Sequence, residues 1–340
     1  MSEAKVLPPL PEELARRATA AVATRVAGGV VAQVEPLLGG TSSLTYQARL
    51  ASPSGAKRVV IKVAPPGLLP VRNRDVLRQA RVLDVLAAHP AVRVPEIFGT
   101  DAGAPPQVPP LFVMSYVDGE SFEPCLASAE PTATRAQLEA RAFEAARMLA
   151  ALHAVPASDS RVAAEPVQDL PAELARWQKA FASTDADLRA GEAEVHAALA
   201  NRLPEPGALK ILHGDYRLGN MQCRGSEIGA LIDWEIWSVG DPRLDLAWFL
   251  LNSDRRHPSC VRPNPEMPPV AELRAAYEQA AGRRVDELAW FAALVRYKQA
   301  AASALIAKNT RKLAKPGVDA TRMAELIPKL LRWALESLDA

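Results

Sequence analysis

The sequence predicts an α+β chain in two lobes, a small β-rich N-terminal lobe over residues 1–117 and a larger, mainly helical C-terminal lobe over residues 118–340. Three observations lead there. Val59-Val60-Ile61-Lys62-Val63 is a β-branched run of the kind that fits a pleated, half-buried surface. Beyond Gly119, apolar residues recur at helical spacing, as in Leu138, Ala142, Ala145, Leu149 and Leu152. Between helical regions, His213–Asn220 and Ile232–Glu235 set polar residues on either side of a short hairpin pattern. A chain of 340 residues can bury two modest cores.

Taken in order, Pro11 to about Val26 is Ala-rich with charges on one side, and predicts a leading helix that starts at Pro11 and Glu12. Leu38-Gly39-Gly40-Thr41-Ser42-Ser43-Leu44 is a small-residue loop between strand-like runs. Its glycines let the backbone approach a ligand, and its N–H groups suit phosphate oxygens; a plain hairpin turn is the bland alternative. Lys62 sits inside an apolar strand, where an unpaired ammonium is costly, so it should point to a partner or a ligand. A helix over about Arg74–Ala88 buries Val76, Ala80, Leu83 and Leu86. The Pro-rich stretch 105–110 reads as a loop, Leu111–Met114 as a strand, and Ser115–Gly119 as the link between lobes.

In the second lobe, the long helix ends near His153, which reads as a core or capping histidine. Residues 156–207 form a second helical region and candidate acceptor pocket. Leu209, Ile211 and Leu212 suggest a buried strand ending at His213, and Met221–Arg224 with Ile228–Ile232 flank a Gly225-Ser226-Glu227 turn. Gly240–Ala247 opens another helix, with Asp241 and Asp245 placed to cap it or to brace the preceding loop. A Pro-rich loop over residues 258–269 precedes two or three final helices, which carry Tyr297, Lys298 and the basic run Lys308–Lys312. Such a run is usually a solvated face, though it also suits an anionic substrate.

The order His213-Gly214-Asp215-Tyr216-Arg217-Leu218-Gly219-Asn220, then a hairpin, then Asp233-Trp234-Glu235, is what phosphoryl transfer needs. Protein kinases use His-Arg-Asp, a downstream Asn and an Asp-Phe-Gly for the same work, which makes the expected architecture protein-kinase-like. Asp215 is the candidate to orient or deprotonate an acceptor hydroxyl, while Asn220 and Asp233 are candidate Mg²⁺ ligands. Arg217 stands where kinases carry a Lys, either to contact the transferred phosphate or to fix the loop through a salt bridge. His213 is expected to pack and hydrogen-bond inside the loop. A single Asp or Asn here would read as a turn or cap residue; three in this order point to chemistry. A zinc hydrolase reading of His213, Asp215 and Asp233 lacks a further His at ligand spacing.

Composition excludes several classes. Forty basic against thirty-nine acidic residues leave a net charge of +1, which argues against dependence on nucleic acid. Cys125, Cys223 and Cys260 are odd in number and far apart, so a disulfide framework is not expected and a reducing cytoplasm is. Glu12, Glu13, Arg16 and Arg17 interrupt any signal-peptide core, and no apolar stretch spans a bilayer, so no membrane partner is expected. Walker A and dinucleotide fingerprints are both missing.

On Gly39–Tyr46, Pro65–Pro70, His213–Asn220 and Asp233–Glu235 through Gly240–Ala247, the chain resembles the aminoglycoside phosphotransferase or choline-kinase-like small-molecule kinases over nearly its whole length. The last two stretches look most like the kinase domains associated with acyl-CoA dehydrogenases. The resemblance implies ATP and Mg²⁺ as cofactors and a small-molecule hydroxyl as acceptor, a hydroxyacyl-CoA by the nearer relatives and an antibiotic by the family name. It implies that Gly39, Gly40, Thr41, Ser42, Ser43 and Lys62 meet ATP phosphates, and that Met114, Ser115 and Val117 meet adenine. It implies Asp215 as base and Asn220 with Asp233 as metal ligands. Gln79 departs from the Glu expected to pair with Lys62, and Ser43 from a frequent Asn. Three functions follow: a kinase for a small alcohol such as a hydroxyacyl-CoA, a kinase for an aminoglycoside or amino alcohol, and a pseudokinase. A pocket for the second should be rich in Asp and Glu, which the 156–207 region, with Glu165, Asp169, Glu173, Asp185, Asp187, Glu192 and Glu194, does not exclude, and Gln79 alone favours the third.

Overall fold

The computed structural model describes residues 8–37, 43–125, 130–260, 267–312 and 318–339. In chain order the elements begin with α1 (Pro11–Val22), β1 (Val30–Pro36), β2 (Leu44–Ser52), β3 (Gly55–Val63), α2 (Val76–Leu86), β4 (Ile97–Asp101) and β5 (Leu111–Ser115). They continue with α3 (Arg135–Ala154), β6 (Val167–Gln168), α4 (Leu170–Ala182), α5 (Glu192–Ala200), β7 (Lys210–Leu212), β8 (Met221–Arg224), β9 (Glu227–Leu231) and β10 (Ser238–Gly240). Last come α6 (Arg243–Ser253), α7 (Val270–Ala281), α8 (Leu288–Arg311) and α9 (Val318–Leu338). The chain divides into two compact units: Met1–Ser121, Ser158–Ala164 and Asn220–Trp237 make the first, and Phe122–Ala157, Glu165–Gly219 and Ser238–Ala340 make the second.

The first unit is built on an antiparallel sheet in the order β1-β2-β3-β5-β4. Strand alternation sends Val59, Ile61 and Val63 into a core with Val31, Phe98 and Val113, closed by Leu14, Ala18 and Val22 of α1. The same alternation turns Val60 and Lys62 to the opposite face, where both line a cavity. Helix α1 stops at Val22, short of the expected Val26, and the chain continues as turns. Arg25 there leaves the helical path to bond Asp84 on α2 at 2.7 Å and the Ile97 carbonyl at 3.1 Å. Asp75 caps α2 by accepting from the backbone N–H groups of Leu77 (3.0 Å) and Arg78 (3.2 Å), and Val76, Ala80, Leu83 and Leu86 are buried as their spacing predicts. The β8–β9 hairpin belongs to this unit, and the Leu231 N–H donates to the Arg93 carbonyl at 2.8 Å.

The second unit is mainly helical. Thr134 and Gln137 form a reciprocal capping box that starts α3. Phe181, Leu199, Leu251, Phe291, Leu294 and Leu330, from α4, α5, α6, α8 and α9, share one core. A small sheet, β6-β10-β7, places β10 antiparallel to β7, so that buried Ile211 and Leu212 lead directly into His213. The basic run at the end of α8 is partly paired: Arg311 meets Asp185 at 3.2 Å and Asp187 at 2.8 Å. Among the described residues no helix is long and apolar enough to cross a membrane, and all three cysteines are free thiols.

Gly99 on β4 lies against the backbone of Ala21, and a Cβ there would collide with the Ala21 carbonyl. Backbone atoms yield less readily than a side-chain tip. Gly99→Ala should therefore lower unfolding free energy by about 1–3 kcal/mol, read from urea denaturation; an unchanged midpoint would mean that α1 does not press on β4.

Candidate active site

Asp215 and Arg217 belong to the second unit, whereas Lys62, Gln79, Asn220 and Asp233 belong to the first. In the second unit, the loop after β7 is held by one buried carboxylate. Asp245 on α6 accepts from the His213 N–H at 2.6 Å and the Gly214 N–H at 2.9 Å. Burial would push this carboxyl up, but His153, with Nε2 3.7 Å from Asp245 Oδ2, and the donors of His213 outweigh burial and hold it below the usual range. His153 is in turn bonded to the Tyr277 hydroxyl at 2.7 Å, so it is the buried core histidine its position suggested. Inside the loop, His213 accepts from the Asp215 N–H through Nδ1 at 3.2 Å, and the Tyr216 hydroxyl donates to the Ala145 carbonyl of α3 at 2.7 Å. Asp241 braces the start of α6 by accepting from the N–H groups of Gly207 (2.7 Å) and Arg243 (3.0 Å).

Asp215 is thereby presented with its carboxylate in a defined setting. Arg217 Nε donates to both its oxygens, at 3.2 and 3.1 Å, and the Trp248 indole N–H donates to Oδ1 at 2.7 Å. Arg217 also lies 3.6 Å from Glu123, so its guanidinium is engaged by two carboxylates, as the loop-fixing salt bridge requires. Glu123 accepts from the Gly219 N–H at 3.0 Å. A Cβ at Gly219 would meet the tip of the Arg217 guanidinium, which would have to shift.

In the first unit, hairpin register does the positioning. Met221 pairs with Leu231, and the Ile232 N–H donates to the Asn220 carbonyl at 2.8 Å, which sets Asn220 and Asp233 beside each other at the open end of the hairpin. Asp233 adopts φ 67°, the left-handed region that Asp tolerates better than most residues. Its Oδ1 lies 3.5 Å from Lys62 Nζ, which also reaches Gln79 Oε1 at 3.4 Å. Lys62 is thus held by a neutral amide and by Asp233, in place of the absent Glu. Lys62, Asn220 and Asp233 line one cavity of about 360 Å³ together with Met114, Ser115 and Val117, a size suited to a small ligand. An amide oxygen and a carboxylate are hard oxygen donors that fit Mg²⁺, which commonly takes one or two protein groups plus phosphate oxygens. No cluster of three or more His, Cys, Asp or Glu that could hold a metal occurs among the described residues.

Gly39, Gly40, Thr41 and Ser42 lie outside the described residues; Ser43 is buried just before β2. Glu123 and Trp248 were not singled out from the sequence. Glu123 lies 96 residues from its partner Gly219, so no local pattern marks it. Trp248 follows Asp245 by three positions, nearly one helical turn, and its reach to Asp215 appears only once α6 is folded beside the loop.

An antiparallel sheet carrying an interior Lys, followed by a helical unit with a carboxylate loop, defines the class of kinase-like phosphotransferases. Comparisons place the chain within it. Residues 33–294 match the model of the phosphotransferase enzyme family known as APH, and the chain belongs to that family, whose members phosphorylate hydroxyl groups of small molecules. It is 25% identical over 217 residues to mouse acyl-CoA dehydrogenase family member 10, a match covering 62% of this chain and 20% of that protein. It thus spans about a fifth of that relative's length. A crystal structure from Ralstonia eutropha JMP134, provisionally described as an aminoglycoside phosphotransferase, has TM-score 0.74 at 21% identity and covers 93% of this chain and 95% of its own. The GDP complex of aminoglycoside 2'-phosphotransferase-IIIa has TM-score 0.62 at 14% identity, covering 92% and 97%.

Glu123 supplies a pH test of the second-unit geometry. Burial pushes its carboxyl up from 4.5 to about 7, with Asp215 adding to the rise and Gly219 and Arg217 opposing it. The folded chain then holds this proton more tightly than the unfolded chain. The stability it contributes is complete below about pH 4.5 and is lost as pH rises through about 7. Wild-type stability should fall relative to Glu123→Gln across that window in denaturant titrations; parallel pH curves would show that Glu123 is not buried as described.

Proposed function

We propose that the chain transfers the γ-phosphoryl group of ATP to the hydroxyl of an acyl-CoA. The observation that carries this reading is the grouping of Lys62, Asn220 and Asp233 on one cavity with the end of β5. Lys62 neutralises the α- and β-phosphates, with the backbone of Gly39, Gly40, Thr41, Ser42 and Ser43 as the phosphate loop. The backbone of Ser115 and Val117 binds adenine, and Met114 packs beside it. Asn220 and Asp233 hold Mg²⁺, which when bound neutralises charge on the phosphates. Asp215 accepts the proton of the acceptor hydroxyl as its oxygen bonds to the γ-phosphorus and the bond from that phosphorus to the bridging oxygen breaks, releasing ADP. Arg217, held by Asp215 and Glu123, keeps the loop in place. The cytoplasm, where ATP and acyl-CoA are present, is the proposed location.

The acyl-CoA acceptor is supported by the name of the mouse relative and by what five of the seven acidic residues of 165–194 do. Asp169 caps α4, Glu173 accepts from Trp177 at 2.6 Å and pairs with Arg176, Asp185 and Asp187 pair with Arg311, and Glu192 accepts from the Tyr297 hydroxyl at 2.5 Å. Carboxylates so occupied are poor candidates to bind a polycationic aminoglycoside. Gln79 remains the sole support for a pseudokinase.

ADP release in the presence of Mg²⁺ and ATP, screened against hydroxyacyl-CoAs, aminoglycosides and amino alcohols, tests the acceptor. A hydroxyacyl-CoA should raise the rate above that into water and yield a phosphate ester; turnover with an aminoglycoside alone would favour the second reading, and none with any acceptor the third. ATP affinity by calorimetry should fall when EDTA removes Mg²⁺, and equal affinity would remove Asn220 and Asp233 as ligands. Lys62→Ala should weaken ATP use strongly and Gln79→Ala less, because an amide orients an ammonium less firmly than a carboxylate does. The reverse ranking would show that Lys62 has another role.

A further inference from the structure

The contact between Trp248 and Asp215 is required neither by the fold nor by the metal-binding residues. Two buried indole N–H groups elsewhere donate to backbone carbonyls, Trp290 to Leu199 O at 2.9 Å and Trp234 to Leu231 O at 3.0 Å. Trp248 instead donates at 2.7 Å to a side-chain carboxylate on a loop, a charge-assisted bond of the stronger kind. Its ring is held from below. Lys298 Nζ of α8 stands 4.4 Å from the Trp248 ring centroid and 5.7 Å from that of Trp177, and donates to the Gly214 carbonyl at 3.3 Å. Trp177 is itself fixed by Glu173 at 2.6 Å. Among the described residues no carboxylate lies within ion-pair distance of Lys298. Its close contacts are two indole faces and one carbonyl.

The geometry points to Trp248 as a positioning residue for Asp215, with the Lys298 ammonium beneath the indole to hold the ring and polarise its N–H. Arg217 Nε approaches both carboxylate oxygens almost equally, at 3.2 and 3.1 Å, and so does not distinguish them. The indole touches Oδ1 alone and fixes the rotation of the carboxylate about its last bond. A base must meet its proton within hydrogen-bond reach and in the right direction, so a rotating carboxylate loses rate without losing substrate affinity. A cation over an indole face also makes the N–H a better donor, and the pair is worth more where water is excluded. Burial lowers the Lys298 pKa, and Glu173, Asp215 and Asp245 oppose that shift and favour the ammonium.

This inference rests on Asp215 being the base, and the test separates the two. ADP release is measured with Mg²⁺-ATP, into water and into 3-hydroxybutyryl-CoA, for wild type, Asp215→Asn, Trp248→Phe and Trp248→Gln. Melting temperature and ATP affinity are measured on each. Phe keeps an aromatic face for Lys298 but has no donor; Gln keeps an N–H of similar reach but has no ring. With Trp248 as positioning residue, Trp248→Phe loses about ten-fold or more in kcat, with KM for ATP and melting temperature little changed, and Trp248→Gln retains more turnover than Phe. Wild-type kcat in Trp248→Phe, beside an inactive Asp215→Asn, would overturn the positioning role and leave the base intact. Phe outperforming a folded Gln variant would assign Trp248 to packing. Should the Gln variant not fold, the Phe variant decides alone. Wild-type turnover in Asp215→Asn would instead overturn the base itself.

Discussion

The buried Asp245 carboxylate, bonded to two successive backbone N–H groups, is the interaction on which the second-unit site depends. A carboxylate taken out of water must be fully satisfied, and removing a partner from such a charge is far more damaging than the pair is stabilising. Here the partners are the His213 and Gly214 amides, with His153 behind them. The loop therefore cannot drift without leaving a charge unmet. Its remaining directions are closed by Tyr216 on the Ala145 carbonyl and by Lys298 on the Gly214 carbonyl. Asp215 extends from a segment fixed from three sides, which is the preorganisation that general-base chemistry demands.

The first unit achieves its positioning by covalent economy. One hairpin brings Asn220 and Asp233 together through a single register, and strand alternation alone turns Lys62 toward them. Where the resembled kinases place a Glu, Lys62 has Asp233 at 3.5 Å from its ammonium. Gln79 then serves as a second, weaker acceptor in a buried position, where a neutral amide costs less to desolvate than a carboxylate.

Much of this was legible in the sequence because the determinants are local. Val59–Val63 reads as a strand, Val76 to Leu86 as a buried helix, and the Gly225-Ser226 turn as a hairpin, each from periodicity or turn chemistry within ten or so residues. The pairing of Asp245 with the loop was visible only as one of two options, cap or brace, because the deciding donors lie thirty-one and thirty-two residues away. Glu123 and Trp248 left no local mark, since each gains its role only from a contact across 96 or 33 positions. The acidic residues of 165–194 left a cationic substrate open in sequence, yet Arg311 and Tyr297, over a hundred positions away, take three of them. The first unit likewise draws on three separate stretches of chain, which no boundary drawn along the sequence expresses.

The central claim is that Asp215 acts on the acceptor and not on the nucleotide. Single-turnover transfer from ATP, followed alongside ATP affinity and melting temperature in Asp215→Asn, tests it most directly. The account expects turnover to fall by about a hundred-fold or more, with ATP affinity and thermal stability close to wild type. Near-wild-type transfer with a lowered melting temperature would contradict it, and would make Asp215 a brace of the loop it sits on.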